Sequence, residues 1–153
     1  MSVEIGQPAP KIAVKNAAGE TVSLADVGAG KPVLLVFYPF TFTGVCEGEL
    51  CRIRDDYQEF EDAGVQVVAI SCDSRHSQRV WGEQQGYTFP FLSDFWPHGD
   101  AAKAFGIFND TLGCAMRSSF LIGADGVVVD AFGTDELGTP REAERYTEAL
   151  AKL

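Results

Sequence analysis

Val33-Leu-Leu-Val-Phe37 is a short unbroken apolar run between Lys31-Pro32 and Pro39, the pattern of a strand covered on both faces. Val65–Ser71 repeats that pattern and predicts a second buried strand. From Thr43-Gly44 onward the period lengthens, and Cys46, Leu50, Ile53, Tyr57 and Phe60 fall on one face of a helix that Gly64 closes. Cys46 therefore lies in the first turn of a helix.

The remaining patterns are shorter. Lys11–Lys15 and Thr21–Leu24 alternate about Ala17-Ala-Gly-Glu20 and predict an N-terminal hairpin, followed by a loop over Val27–Pro32. Asp73 or Ser74 caps a helix that runs through Gln85 and ends at Gly86. A short strand follows at Phe91–Leu92, and Asp100 caps a brief helix that stops at Gly106. Ser118–Ile122 and Val127–Phe132 flank Asp125-Gly126 as a second hairpin. Thr139, Pro140 and Glu142 carry a capping-box signature for a last helix, with Ala143, Tyr146 and Leu150 facing inward. No linker, repeat or low-complexity segment interrupts the chain, so residues 1–153 are expected to form one α/β domain.

Composition narrows the function. The chain has 153 residues, 46% hydrophobic and 22% charged, as in soluble globular proteins, and no apolar run approaches a membrane span. The leading segment Met-Ser-Val-Glu-Ile-Gly-Gln-Pro lacks the basic and apolar regions of a signal peptide, so the cytoplasm is the expected compartment. A formal charge of −10 argues against nucleic acid and anionic membranes as partners. Four cysteines are too few for a disulfide scaffold and form no Cys-x-x-Cys pair. Cys72 and His76 stand four apart, but two ligands do not make a zinc site. The expectation is free thiols, at least one of them reactive, with no metal and no organic cofactor.

Cys46 is the candidate nucleophile. Free N–H groups and the positive end of the dipole at a helix N-terminus favour a thiolate. Lowering a thiol pKa from ~8.5 to ~6 requires about 3.4 kcal/mol, at ~1.36 per unit, whereas a helix dipole supplies ~2 at most. A cation must supply the rest. Arg117, from a distant strand, is the candidate, and Thr43 can place a hydroxyl beside the sulfur. The competing reading of Cys46 is a small buried hydrophobe.

The flanking residues decide between these readings. Pro39-x-x-x-Thr43-x-x-Cys46 resembles the active-site motif of the peroxiredoxins, at the same strand-to-helix junction. The likeness extends to Ile5-Gly-Gln-Pro-Ala-Pro10, Glu49, Phe89-Pro-Phe-Leu-Ser-Asp-Phe-Trp-Pro-His-Gly99 and Arg117-Ser-Ser-Phe-Leu-Ile122, and is greatest to the alkyl hydroperoxide reductase E group of actinobacteria. The resemblance implies a thioredoxin-like fold with extra N-terminal strands. It implies a thiol-dependent peroxidase acting on hydrogen peroxide, alkyl hydroperoxides and peroxynitrite through a Cys46 sulfenic acid. It also implies roles: Thr43 and Arg117 bridging sulfur and peroxide, Pro39 shielding the site, and Glu49 holding an arginine. Each has a plainer reading: Thr43 as a helix cap, Glu49 as an exposed first-turn acid, Arg117 as a solvated strand residue and Pro39 as a strand terminator. Thioredoxin or mycothiol with mycoredoxin are the implied reductants, and a homodimer the implied assembly.

Cys51 departs from that group. It follows Cys46 by five residues, the spacing of the resolving cysteine in peroxiredoxin Q, and is either that thiol or a bystander. Five helical residues give about 140° of rotation and ~7.5 Å of rise, beyond the ~7 Å Cα limit of a disulfide. A Cys46–Cys51 bond therefore requires unwinding, which Gly48 eases. Cys72 reads as packing, and Cys114 as a surface thiol or an alternative resolver. Phe40, Phe42, Phe95 and Trp96 line an alkyl-hydroperoxide pocket, a dimer contact or ordinary loop packing. A thiol-disulfide oxidoreductase remains an alternative, opposed by the missing Cys-x-x-Cys, as does a non-enzymatic sensor or holdase.

Overall fold

In a computed structural model describing residues 3–153, the chain forms nine strands and six helices. Met1 and Ser2 of the leading segment lie outside the described residues. The strands β1 (Val14–Lys15), β2 (Thr21–Val22), β3 (Val33–Phe37), β4 (Gln66–Ser71), β5 (Phe91–Ser93), β8 (Ser118–Ile122) and β9 (Val128–Gly133) make one sheet in the order β2-β1-β5-β4-β3-β8-β9. β3, β4 and β5 run parallel, while β8 and β9 add antiparallel to β3. The N-terminal hairpin joins the opposite side through the antiparallel pair Lys15 and Ser93.

β3 is buried along its whole length, and its alternation divides the core in two. Leu34 and Val36 face a cluster with Cys46, Leu50, Ile53, Phe60 and Trp81. Val33, Leu35 and Phe37 face another with Ile12, Ala102, Phe105 and Phe120. A strand covered on both faces needs this continuous apolar run. Pro39 ends it and is itself buried.

The Cys46 helix is two helices, α2 (Gly44–Asp55) and α3 (Tyr57–Asp62), broken at Asp56 with φ −95° and ψ 12°. Arg52 holds Asp56 at 2.7 Å, so its carboxylate is tied back onto α2 at the break. Cys46, Leu50, Ile53 and Phe60 are nonetheless buried on one side, with Tyr57 packed at their edge. Helix α4 (Arg75–Gln85) begins at Ser74, whose hydroxyl accepts from Ser77 N–H, and ends at Gly86 in the left-handed region.

Three expectations are corrected. Leu24 belongs to a short helix, α1 (Leu24–Gly28), rather than to a strand, because Ser23 and Asp26 complete a reciprocal capping box. Helix α5 (Asp100–Ala104) is not capped by Asp100. Gly99 precedes it, and the Asp94 carboxylate accepts from Ala101 N–H at 2.8 Å and Ala102 N–H at 2.9 Å. The last helix, α6 (Glu144–Leu150), starts five residues after Thr139. Thr139 instead donates to Glu136, and the segment before α6 runs as a loop that carries Arg141 inward. A further pair, β6 (Phe108–Asn109) with β7 (Cys114–Ala115), is two residues per strand, too short for any alternation to announce it.

Candidate active site

Cys46 is the third residue of α2 and has no exposed surface. The residue therefore belongs to the first turn, whose N–H groups have no partner within the helix. Arg117, immediately before β8, reaches across and places Nη1 3.2 Å from Cys46 Sγ. The same Nη1 donates to Glu49 Oε1 at 2.7 Å, and Nε donates to the Leu137 carbonyl at 2.6 Å. With those anchors the guanidinium is fixed, and among the described residues Nη2 donates to no protein group.

Glu49, one turn after Cys46, is clamped by a second arginine. Arg141 donates to Glu49 through its backbone N–H at 2.7 Å, Nε at 3.0 Å and Nη2 at 2.8 Å. Arg141 Nη1 donates to the Phe37 carbonyl at the end of β3 and to Ser119 Oγ in β8. Burial alone would push the Glu49 carboxyl up. The hydrogen bonds and charge of Arg141, with the charge of Arg117, outweigh it and hold the group below the usual carboxylate range. Two guanidiniums and one carboxylate leave one net positive charge beside the sulfur.

Thr43 stands where the helix begins, but its hydroxyl makes no cap bond. It donates to the Phe40 carbonyl at 2.7 Å. A hydroxyl whose proton is committed in this way presents only lone pairs to an incoming group, so it is set to accept a hydrogen bond. Phe42, just before it, has φ +67°, a strained conformation for a bulky residue at the turn into the helix. The loop is held from behind by Asp73, which accepts from Thr41 N–H at 2.8 Å and from Ser71 Oγ at 2.7 Å. Tyr38 Oη and Thr41 Oγ1 are 2.9 Å apart.

Sequence reasoning named Cys46, Arg117 and Glu49, which the structure brings together, and Pro39, which is buried just beyond the end of β3. It missed Arg141, hidden by a cap signature that invited a helix, and it missed Asp73 as the anchor of the loop. The other thiols fall in different surroundings. Cys51 is half-buried, with Sγ 3.3 Å from Tyr87 Oη and 3.7 Å from Gln85 Oε1. Cys114 is buried rather than at the surface, and burial, then the neighbouring Cys46 charge, pushes its thiol up. Burial raises the Cys72 thiol to about 12. Phe40, Phe42, Phe95 and Trp96 are all exposed, Trp96 by 79%.

The chain matches the AhpC/TSA family over residues 5–131. It is 38% identical over 151 residues to alkyl hydroperoxide reductase E of Mycobacterium tuberculosis, covering 99% of this chain and 98% of that protein. It is 34% identical over 124 residues to chloroplastic peroxiredoxin Q of Sedum lineare, 80% of this chain and 65% of that one. Among solved structures it resembles peroxidoxin BcpB from Mycobacterium tuberculosis, with TM-score 0.85, 27% identity and coverage of 98% and 96%. It likewise resembles Enterococcus faecalis AhpC, with TM-score 0.86, 27% identity and coverage of 99% and 92%.

Proposed function

The chain belongs to the AhpC/TSA family of peroxiredoxins and is a thiol-dependent peroxidase, taking a hydroperoxide as substrate and a thiol as reductant, and on that premise we propose that Cys46 is the thiol that attacks the peroxide. Its thiolate attacks the terminal O–H oxygen of the hydroperoxide, the O–O bond breaks, and the other oxygen leaves and takes up a proton as water or an alcohol, leaving a sulfenic acid on Cys46. The observation that carries this reading is the 3.2 Å contact between Arg117 Nη1 and Cys46 Sγ at a helix N-terminus. A thiolate of low pKa is a weak nucleophile, so rate must come from stabilising charge as it moves onto the oxygens. Arg117 Nη2 is the donor left for them. Thr43, as an acceptor, receives the hydroperoxide O–H and orients the O–O bond toward sulfur. Pro39 covers the sulfur, and Glu49 with Arg141 fixes Arg117 in place.

Cys51 resolves the sulfenic acid. Cys72 and Cys114 are held as protonated thiols by burial and attack poorly at neutral pH. Cys51 is partly exposed on the same helix, with a glycine between it and Cys46. The resulting disulfide is then open to an external dithiol such as thioredoxin, or to mycothiol with mycoredoxin. Four free cysteines suit a reducing compartment, and we place the protein in the cytoplasm as one domain. Exposed Phe40, Phe42, Phe95 and Trp96 favour a homodimer, and they offer apolar contact to alkyl hydroperoxides. The test is hydroperoxide consumption in the presence of a dithiol. Wild type turns over hydrogen peroxide and an organic hydroperoxide, and Cys46→Ser does not; equal consumption by the two proteins overturns the assignment.

A further inference from the structure

The helix segment between Cys46 and Cys51 is held on two opposite faces. On the inner face Glu49 accepts from Arg117 and Arg141. On the outer face Tyr87, just beyond the end of α4, donates from Oη to the Glu47 carbonyl at 3.2 Å and lies 3.3 Å from Cys51 Sγ. One hydroxyl thus ties the first turn of α2 to Cys51. Its ring is fixed by Phe89, stacked at 5.2 Å, and by Trp81, edge-on at 5.3 Å. Between the two anchors lies Gly48, with nothing within 4 Å of where a side chain would begin.

We propose that Tyr87 is a positioning residue that latches Cys51 away from Cys46 and sets the rate at which the pair can join. The proposal rests on Cys51 as the resolving thiol. Because Cys46 and Cys51 are five helical residues apart, they cannot bond while the segment stays wound. Burial, then the bond from Cys51, pushes the Tyr87 hydroxyl well above its usual range, so it stays protonated. Its proton can be directed to the Glu47 carbonyl, and its oxygen lies against Cys51 Sγ in a contact where either atom can donate. Release of both contacts, leaving only the longer 3.7 Å contact of Cys51 Sγ with Gln85 Oε1, frees Cys51 to attack. In that step the Cys51 sulfur bonds to the Cys46 sulfur, the S–O bond of the sulfenic acid breaks, and hydroxyl leaves with the Cys51 proton as water. The hydroperoxide has already supplied both oxidising equivalents. The competing fate of the sulfenic acid is attack on a second peroxide to give sulfinic acid, so the latch also sets how much peroxide inactivates the protein.

Tyr87→Phe removes both polar contacts and keeps the ring packing. Trp81, in contact with the ring, reports the step by fluorescence in rapid mixing with hydrogen peroxide. The expected result is a disulfide-forming phase about tenfold faster than in wild type, ~1.4 kcal/mol in barrier, with a matching fall in sulfinic acid by mass spectrometry. On a Cys51→Ser background, Tyr87→Phe leaves the sulfinic acid yield unchanged. An unchanged or slower phase, or an equal change in yield without Cys51, overturns the latch. Failure of wild type to form any Cys46–Cys51 disulfide, seen as no loss of two hydrogens in intact mass, overturns the resolving role and the latch with it.

Discussion

Glu49 and Arg141 are joined by three hydrogen bonds of 2.7, 3.0 and 2.8 Å across 92 positions of sequence. Both side chains are almost fully buried, and Arg117 shares the same carboxylate. A carboxylate so placed cannot be removed without stranding two cations. Glu49→Gln is expected to destabilise the fold by about 3–5 kcal/mol, the cost of breaking a buried ion pair from one side. Urea unfolding of the variant against wild type measures it.

The same carboxylate predicts an acid response. Glu49 has a depressed folded-state pKa, so its contribution is fully present above the unfolded value of ~4.3 and is lost as pH falls through the folded one. Asp130, pushed up by burial but held lower by Lys152 and Arg145, acts in the same direction. Urea midpoints should therefore fall as pH drops below ~4, and Glu49→Gln should flatten part of that fall. A variant with the same acid dependence as wild type would remove Glu49 from the account.

Arg117 is expected to act on the peroxide step itself. Arg117→Met should lower the second-order rate of Cys46 oxidation by about 10²–10³, the usual effect of deleting one donor to developing negative charge. Stopped-flow fluorescence at several peroxide concentrations gives that rate. Thr43 separates by chemistry: Thr43→Ser keeps an acceptor and stays near wild type, while Thr43→Val loses it and slows at least ~10-fold.

Gly48→Ala probes the winding of the helix between the two thiols. An alanine meets no neighbour there, and it stabilises the helical state by about 1 kcal/mol relative to glycine. Disulfide formation between Cys46 and Cys51 should slow about fivefold while peroxide reacts with Cys46 as before. Timed acid quench and intact mass follow both steps.

Much of this arrangement was legible in the chain. The apolar run at Val33–Phe37, the helical stripe from Cys46 to Phe60 and the turn at Asp125-Gly126 each announce their element, because burial on a regular lattice leaves a period. Cys46, Thr43 and Pro39 are local to one another, and their spacing is what marks them as candidates. Arg141 has no such signature. Its place depends on Glu49 and on the Phe37 carbonyl, 104 residues away, and those contacts override the local preference of Thr139-Pro-Arg-Glu for a helix start. Asp94 as a remote cap for α5 and Asp73 as the tether of Thr41 are hidden for the same reason: each bonds to backbone far from the element it would be assigned to by neighbourhood.

The central claim is that Cys46 takes the oxygen and Cys51 removes it. Intact mass and peptide mapping after one equivalent of hydrogen peroxide, with and without dimedone, test it on reduced wild type and Cys51→Ser. The account predicts loss of two hydrogens in wild type and a dimedone adduct on Cys46 in Cys51→Ser. A dimedone adduct on wild-type Cys46 as abundant as in the variant would contradict the role of Cys51, and an unmodified Cys46 in both proteins would contradict the role of Cys46.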